Sequence, residues 1–370
     1  MDKALWTIFI IFLASAAIQL FYTWAFFSRL AFSRKKKGNP GSVPISVVIA
    51  ARNEYDNLIN NLPPILEQDY PEFEVVLVND ASDDETLTLL DEFKDKYKHL
   101  KVVNLPENLN FFKGKKFPLS MGIKSAKYEH LLLTDADCRP RSERWIATMA
   151  GNFQENIEII IGYGAYRPEK GMLDKLVRFE ALHVAVQYLS FAMAGLPYMG
   201  VGRNLSYQRS LFYRNKGFSS HYKVSSGDDD LFINKVATRL NTAVEISADS
   251  HTLSRQPLTF AAFLRQKKRH LSTAGHYKFR FKALLGLYSV SQFFFWISFI
   301  FLLIFGYNIL YLLSLWALRM VSQMVILKSS MIRLKEKKLL LISPLMEFIF
   351  ILINPLLAFS NLIYKQDKWK

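Results

Sequence analysis

Two aspartates separated by one residue, Asp135 and Asp137, follow an apolar run in the middle of the chain. The run at residues 131–133 predicts a short buried strand. Side chains at positions i and i+2 of an extended chain point to the same side, so both carboxylates leave one face where the strand ends. Ligands of open α/β sheets bind outside the carboxyl ends of the strands. Two carboxylates there suit a hard divalent cation that also holds a diphosphate, whereas the simpler alternative is a strand followed by a polar turn.

The elements that must position these aspartates alternate along the chain. Strands are predicted at 45–51, 73–78, 100–103 and 131–134, and helices at 55–68, from Ser82 or Asp83 to 97, and at 116–126. This order predicts an α/β fold with a mainly parallel sheet and helices on both faces. The chain lacks a G-x-G-x-x-G motif after a strand and a G-x-x-x-x-G-K-[ST] motif, which disfavours a dinucleotide-binding or P-loop fold.

Polar residues stand at the ends of the first two predicted strands. Ala51, Arg52, Asn53 and Glu54 end the first strand, and Asp80 ends the second. Two neighbouring strand ends that open onto helix N-termini make a nucleotide crevice plausible. For Ser82 and Asp83, helix capping is an equally good explanation. Asp80 precedes that cap, where an aspartate can accept the N–H of a uracil ring.

Three consecutive carboxylates, Asp228, Asp229 and Asp230, follow Gly227 and precede an apolar helix. Negative charge at a helix N-terminus is favourable, so capping alone could explain them. The functional interpretation is a general base whose pKa is raised by like charges.

Two basic segments could meet phosphate. Lys115 and its neighbours precede a predicted helix, and they could equally form a solvated face. Residues 265–270 precede an apolar segment that is predicted to enter the membrane. Basic residues at such a place can simply mark the cytoplasmic end of a membrane span. In the functional interpretation they neutralise the pyrophosphate of a leaving nucleotide.

Apolar segments at both ends predict membrane helices. Residues 4–27 carry no charge and precede a basic stretch, which predicts a span with its basic end in the cytoplasm. Residues 283–327 are long enough for two spans joined by a turn at Gly306-Tyr307-Asn308, and Arg319 inside them should face protein or water. Residues 339–364 either span the membrane or form a re-entrant segment that enters and leaves it on the same side. The segment 172–194 is either an interfacial helix or an ordinary core-facing one.

Composition limits the class of partner. The 370 residues are 51% hydrophobic and carry a formal net charge of +15, and the basic residues concentrate beside the apolar spans. An anionic lipid surface explains that placement better than nucleic acid does, so no nucleic-acid partner is expected. Cys138 is the single cysteine, which excludes an intrachain disulfide.

Taken in order, these motifs resemble the inverting glycosyltransferases of family 2, which have the GT-A fold. Residues 48–54 are similar to the family's first nucleotide loop, and 79–86 resemble its DDGSTDGT, with departures at Asn79 and Ala81. Gly114-Lys115 resembles GKxxALNxG, and Asp135-Ala136-Asp137 its metal motif. Gly202-Arg203-Asn204 resembles the acceptor-side GxNxAYR, and Gly227-Asp228-Asp229 the catalytic GED or GDD. Residues 266–270 resemble QxxRW, with His270 in place of tryptophan.

The resemblance implies a GT-A nucleotide-diphospho-sugar transferase domain at residues 45–280. It would lie between an N-terminal transmembrane helix at 1–28, a basic linker at 29–44 and a C-terminal membrane region at 281–370. A nucleotide-sugar donor, expected to be a UDP-sugar, would be held by Ala51, Arg52, Asn53, Glu54, Asp80, Lys115, Asp135, Gln266, Arg269 and His270. Asp135 and Asp137 would bind Mg²⁺ or Mn²⁺, Asp229 would be the base beside Asp228, and Asn204 would lie on the acceptor side.

The acceptor expected from this sequence is a lipid or lipid-linked sugar at the inner membrane of a bacterium, with the catalytic domain in the cytoplasm. His270 in place of the polymerases' tryptophan and the few spans favour a single transfer. The alternatives are a processive polysaccharide synthase subunit and, outside the enzymes, a non-catalytic sugar-binding scaffold or a lipid flippase.

Overall fold

The computed structural model describes residues 3–34, 43–106, 114–224 and 226–363. The predicted linker residues 35–42, Lys113 and the basic tail from residue 364 lie outside this part of the chain. The α-helices are α1 (Lys3–Phe21), α2 (Ser28–Ala31), α3 (Tyr55–Asn61), α4 (Pro63–Leu66), α5 (Thr86–Lys96), α6 (Lys116–Ser125), α7 (Trp145–Ala150), α8 (Met172–Met193), α9 (Arg209–Arg214), α10 (Asp230–Val236), α11 (Phe260–Ala274), α12 (Phe279–Ile304), α13 (Ile309–Leu334) and α14 (Ser343–Ile363).

Seven of the described strands form the central sheet, in the order β3-β2-β1-β4-β8-β6-β9, and three form a small sheet in the order β5-β10-β7. The strands are β1 (Ile45–Ala51), β2 (Phe73–Asp80), β3 (Leu100–Leu105), β4 (His130–Leu133), β5 (Cys138–Pro140), β6 (Ile159–Ile161), β7 (Gly164–Tyr166), β8 (Leu205–Gln208), β9 (Thr242–Val244) and β10 (Thr252–Ser254). Strands β1 to β4 pair in parallel, which confirms the predicted α/β fold with a mainly parallel sheet.

Helices cover both faces of this sheet. Val47 and Ile49 of β1 pack against α3 and α4, whereas Val48, between them, packs on the opposite face against α6. Gly122 lets α6 lie close to the sheet, because a Cβ atom there would stand 2.6 Å from Cγ1 of Val48. The predicted helix over 55–68 is interrupted before Pro63, since Pro63 and Pro64 lack the N–H groups that would continue α3.

Strand β8 is the antiparallel member of the central sheet. It pairs with both β4 and β6, and Leu205 at its start lies opposite Leu133 at the end of β4. Because β8 begins where β4 ends, the residues just before β8 reach the same edge of the sheet as the residues just after β4. The hydroxyl of Thr134 donates to the carbonyl of Arg203 at 2.9 Å across this junction.

Helix α8 lies between the sheet and the membrane-type helices. It packs against β7 and β9 on one side and against α2 and α14 on the other. Most of its residues are buried in the main hydrophobic core. The segment 172–194 is therefore a core-facing helix that also contacts the membrane region.

Four helical segments of the described residues are long and apolar enough to cross a membrane: Lys3–Ala31, Phe279–Ile304, Ile309–Leu334 and Ser343–Asn361. These helices indicate a membrane protein, as the sequence predicts. The predicted turn separates α12 from α13, where the side chain of Asn308 accepts from the N–H groups of Leu310 and Tyr311.

An ion pair inside this bundle and the hydrogen bonds around it join all four segments. Arg319 of α13 is 2% exposed and contacts the carboxylate of Glu347 in α14. Its guanidinium also donates to the side-chain oxygen of Gln19 in α1 at 2.9 Å. The Gln19 amide in turn donates to the hydroxyl of Ser291 in α12 at 2.7 Å. Arg319 faces protein, as expected, and its charge is neutralised there.

Glu347→Gln should destabilise the protein strongly, because it leaves Arg319 buried without a counter-charge. Breaking a buried pair costs about 3–5 kcal/mol. The measurement is the thermal unfolding midpoint of the purified protein in detergent, with Glu155→Gln, an exposed acid outside the apolar helices, as the matched control. Replacing both partners by leucine should restore part of the loss, and an unchanged midpoint for Glu347→Gln would contradict this role.

Candidate active site

The loops after β1 and β2 hold each other in place. Asn53, with φ 54°, donates its N–H to the hydroxyl of Ser82, and its side-chain oxygen accepts from the N–H of Asp83 at 3.0 Å. Asp84 accepts from the N–H groups of Tyr55 and Thr86. The predicted start of α5 at Ser82 or Asp83 is wrong, because these residues bind the β1 loop and the helix begins only at Thr86.

The predicted donor-binding residues of these loops differ in exposure. Ala51 and Asp80 are buried at the ends of β1 and β2, with exposed fractions of 0% and 1%. Arg52 is half-buried and Asn53 is exposed, so both are available to a ligand. Glu54 is buried, and its charge acts on Asp137. The β1 loop therefore lies next to the paired aspartates, as the sequence predicts.

Asp135 and Asp137 lie together just after β4. Their carboxylate oxygens and Sγ of Cys138 all lie within 4.8 Å of one another. Burial and the charge of Asp135 raise the pKa of Asp137 to about 6. Burial also raises the pKa of the Cys138 thiol, so it stays protonated and donates to Asp137 Oδ1 at 3.4 Å. Two hard carboxylate ligands beside a neutral thiol fit a divalent cation that prefers oxygen, such as Mg²⁺ or Mn²⁺.

Basic side chains surround this pair. Lys115, just before α6, forms a salt bridge with Asp135. Burial raises the pKa of Asp135, but Lys115, Arg203 and Arg269 outweigh it, so the carboxyl stays below its ordinary pKa. Arg203 stacks on the ring of Tyr166, with its guanidinium carbon 4.5 Å from the ring centroid. The surroundings of Asp135 and Asp137 thus contain the fixed positive charges that a diphosphate requires.

Asp228 and Asp229 lie near the same lysine. Burial lowers the pKa of Lys115, but Asp135, Asp228 and Asp229 together raise it above the ordinary value. We call Asp135, Asp137, Asp228 and Asp229 the acidic cleft. Its two pairs come from segments about ninety residues apart in the sequence, and both act on Lys115.

Asp229 is held in a fixed orientation. Its Oδ2 accepts from the N–H of Gly202 and its Oδ1 from the N–H of Asp230, both at 2.7 Å. Burial and the charges of Asp228 and Asp230 raise its pKa to about 8. A half-buried carboxylate with a pKa near neutrality is suited to accept a proton.

The third aspartate, Asp230, stabilises the fold next to the site. It is buried at the start of α10 and accepts hydrogen bonds from the hydroxyls of Thr273 and Tyr277 at the end of α11. Lys116 has a similar role, because its buried ammonium donates to the carbonyls of His221, Val224 and Ser226. These contacts fix the segment that leads into Asp228 and Asp229.

Some of the predicted residues of α11 act on the site, and others contact α8 and α14. Gln266 hydrogen-bonds the Tyr166 hydroxyl at 3.1 Å, and the charge of Arg269 acts on Asp135. His270 is exposed. Lys267 instead pairs with Glu180 of α8 at 2.8 Å, and Lys268 donates to Ser360 of α14.

Asn204, predicted on the acceptor side, does not reach the surface of the cleft. It is 0% exposed, accepts from the indole N–H of Trp145, and donates to the carbonyls of Tyr163 and Ser250. The charge of its neighbour Arg203 acts on Asp135 and Asp137 instead. The sequence pattern Gly202-Arg203-Asn204 contained this arginine, but only the pairing of β8 with β4 shows that it faces the acidic cleft.

Comparison with known proteins is consistent with this geometry. Residues 46–216 match the model of the family described as Glycosyl transferase family 2. A poly-beta-1,6-N-acetyl-D-glucosamine synthase of Staphylococcus epidermidis is 39% identical over 93 residues, which are 25% of this chain and 21% of the synthase. The probable glycosyltransferase YdaM of Bacillus subtilis is 25% identical over 237 residues, which are 61% of this chain and 54% of YdaM. The chain thus spans between a fifth and about half of the length of these relatives.

A solved structure has the same fold over most of the chain. It is the mannosyltransferase PcManGT from Pyrobaculum calidifontis in complex with GDP-Man and Mn²⁺. The two chains are 17% identical with a TM-score of 0.58, over 89% of this chain and 97% of that one. At this identity the likeness supports the fold alone.

A divalent cation should bind at Asp135 and Asp137. Asp137→Asn should weaken Mn²⁺ binding at least tenfold, measured by electron paramagnetic resonance of free Mn²⁺. The wild-type affinity should rise between pH 5 and 7, because Asp137, with a pKa raised to about 6, must lose its proton to bind the ion.

Cys138→Ser is the matched control for this experiment and should retain most of the affinity, because the thiol is not the preferred ligand of a hard cation. Equal Mn²⁺ affinity of wild type and Asp137→Asn would contradict the site.

Proposed function

We propose that this chain, whose residues 46–216 match the model of glycosyltransferase family 2, moves a sugar from a UDP-sugar to a lipid or lipid-linked acceptor with inversion. The observation that carries this proposal is the acidic cleft, in which Asp135 of one pair and both members of the other, including Asp229 with its raised pKa, act on one lysine. A non-catalytic scaffold would not require two half-buried acidic pairs at such an electrostatic cost.

In the proposed reaction an acceptor hydroxyl oxygen attacks the anomeric carbon of the donor. The bond from that carbon to the nucleoside diphosphate breaks, and the diphosphate leaves with the electron pair. Asp229 takes the hydroxyl proton, and the N–H of Gly202 keeps its carboxylate oriented. Lys115, Arg203 and Arg269 balance the charge of the leaving diphosphate. A Mg²⁺ or Mn²⁺ ion held by Asp135 and Asp137 would neutralise part of the same charge.

The donor is proposed to lie along the β1 and β2 loops. Arg52 and Asn53 are accessible there, and Asp80 at the tip of β2 is proposed to pair with uracil. Gln266, Arg269 and His270 would close the diphosphate side from α11.

The acceptor is proposed to enter from the membrane. The four apolar helices, and the contacts of α8 and α11 with α14, support a catalytic domain that lies against the bilayer. Together with the basic stretch after α2, they support a location in the bacterial inner membrane with residues 45–280 as a cytoplasmic catalytic domain.

Synthesis of a polysaccharide is a second candidate, and the likeness to the Staphylococcus epidermidis synthase favours it. One assay distinguishes the two candidates. The purified enzyme, with membrane lipids present, is given a panel of labelled UDP-sugars and labelled GDP-mannose. A lipid acceptor gives a discrete labelled product that is extractable into chloroform–methanol and carries one added sugar. Label in a high-molecular-weight polymer that lengthens with time would establish the second candidate, and no label in either fraction would refute both.

Asp229→Asn should keep donor binding, measured by calorimetry, and lose turnover by about 10²–10⁴-fold, the usual contribution of a general base. In the wild type, kcat/KM should rise with pH up to about 8, because below the raised pKa of Asp229 the carboxyl already holds a proton. Asp228→Asn is the matched control. Normal turnover of Asp229→Asn together with an inactive Asp228→Asn would assign the base to Asp228 instead.

A further inference from the structure

Two adjoining cavities open where α13 ends and α8 begins, away from the acidic cleft. Their volumes are about 700 and 770 Å³, and they share the walls formed by Lys175 and the loop residues 335–338. Tyr166, on which Arg203 stacks, lines the first cavity from the side of the sugar-transfer site, and none of the four aspartates of the acidic cleft lines either cavity.

The cavities are strongly basic. The lining contains six lysines, namely Lys170, Lys175, Lys328, Lys335, Lys337 and Lys338. Two of the three acids in the lining, Asp174 and Glu336, are already paired with Arg178, at 3.3 and 2.5 Å. None of the six lysines forms a salt bridge with a residue that the structure describes. Such a group of unpaired cations favours an anionic ligand.

The second cavity is apolar on its other side. Its wall contains Met331, Ile332, Leu340, Leu341 and Ile342. Ile332 is 58% exposed and Leu341 87% exposed, at the adjoining ends of two candidate membrane spans. A ligand that fills both cavities must therefore carry negative charge at one end and hydrocarbon at the other.

The loop that carries the lysines is held in a fixed shape. Lys335 and Lys338 have φ values of 60° and 63°, a left-handed conformation that non-glycine residues seldom adopt. The Arg178 guanidinium holds the loop by donating to the Lys337 carbonyl at 3.1 Å. A Nε–H group of Arg178 is buried and has no acceptor among the described residues. A preorganised basic loop is a feature of binding sites rather than of a plain solvated flank.

We propose that these cavities bind an anionic glycerophospholipid of the surrounding leaflet. Its phosphate would lie among Lys175, Lys335 and Lys338, and an acyl chain would lie along Ile332 and Leu341. The proposal rests on the membrane embedding given under Proposed function, but not on sugar transfer. A free nucleotide or phosphate would satisfy the lysines and leave the apolar wall uncovered.

The test uses the full chain, delipidated in detergent, and counts bound lipid by native mass spectrometry. Phosphatidylglycerol should bind at least tenfold more tightly than phosphatidylcholine with the same acyl chains. The triple variant Lys175→Gln/Lys335→Gln/Lys338→Gln should lose roughly 10–100-fold in phosphatidylglycerol affinity, given the usual contribution of a lysine near an anionic lipid. The matched control Lys94→Gln/Lys96→Gln/Lys98→Gln removes the same charge from an exposed region at α5 and should bind as the wild type does.

Glycerol 3-phosphate distinguishes the two sources of phosphate. It should not displace the lipid at equal concentration, and tight binding of this soluble anion would overturn the lipid proposal. Equal affinity for the two phospholipids, or an unaffected triple variant, would overturn it as well. Because the readout requires no sugar transfer, a chain that binds phosphatidylglycerol and transfers no sugar would refute only the proposed function.

Discussion

The repulsion among carboxylates in the acidic cleft is the constraint on which the rest of the site depends. Four aspartates and the nearby Glu54 lie close together in a partly buried region, where like charges are costly. Lys115 is the cation common to both pairs, and its own pKa is raised as a result. Asp135, in direct contact with Lys115, has a lowered pKa, whereas Asp137 and Asp229 have raised ones. Contact with Lys115 thus distinguishes Asp135, whose pKa is lowered, from Asp137 and Asp229, whose pKa values are raised.

This division requires that the backbone around the cleft does not move, and buried polar groups provide that rigidity. Asp230 fixes the start of α10 to the end of α11, and Lys116 fixes the loop before it. Asn204 makes three side-chain hydrogen bonds just before β8, next to Arg203. The fully buried members of each motif therefore serve the structure, and the half-buried neighbours, Asp229 and Arg203, face the site.

The sequence predicted the parallel half of the sheet because β1, β2 and β4 are continuous apolar runs with polar residues at their ends. It also predicted the membrane helices from their length and composition. It could not predict that β8 enters antiparallel beside β4, because four residues carry too weak a period to fix a partner. For the same reason Arg203 and Lys116 were not recognised as parts of the site. Their contacts join segments about 70 and 105–110 residues apart.

The membrane helices do more than attach the catalytic domain, because hydrogen bonds connect them to the cleft. Glu336, at the end of α13, accepts from the hydroxyl of Tyr163 at 3.1 Å, and the carbonyl of Tyr163 accepts from Asn204 beside Arg203. From the other side, α14 holds α11 through Lys268, and α11 holds Asp230. Both halves of the acidic cleft are thus tied to the bundle that Arg319 and Glu347 hold together. Through these hydrogen bonds, a shift of α13 or α14 against the sheet would act on both pairs of aspartates.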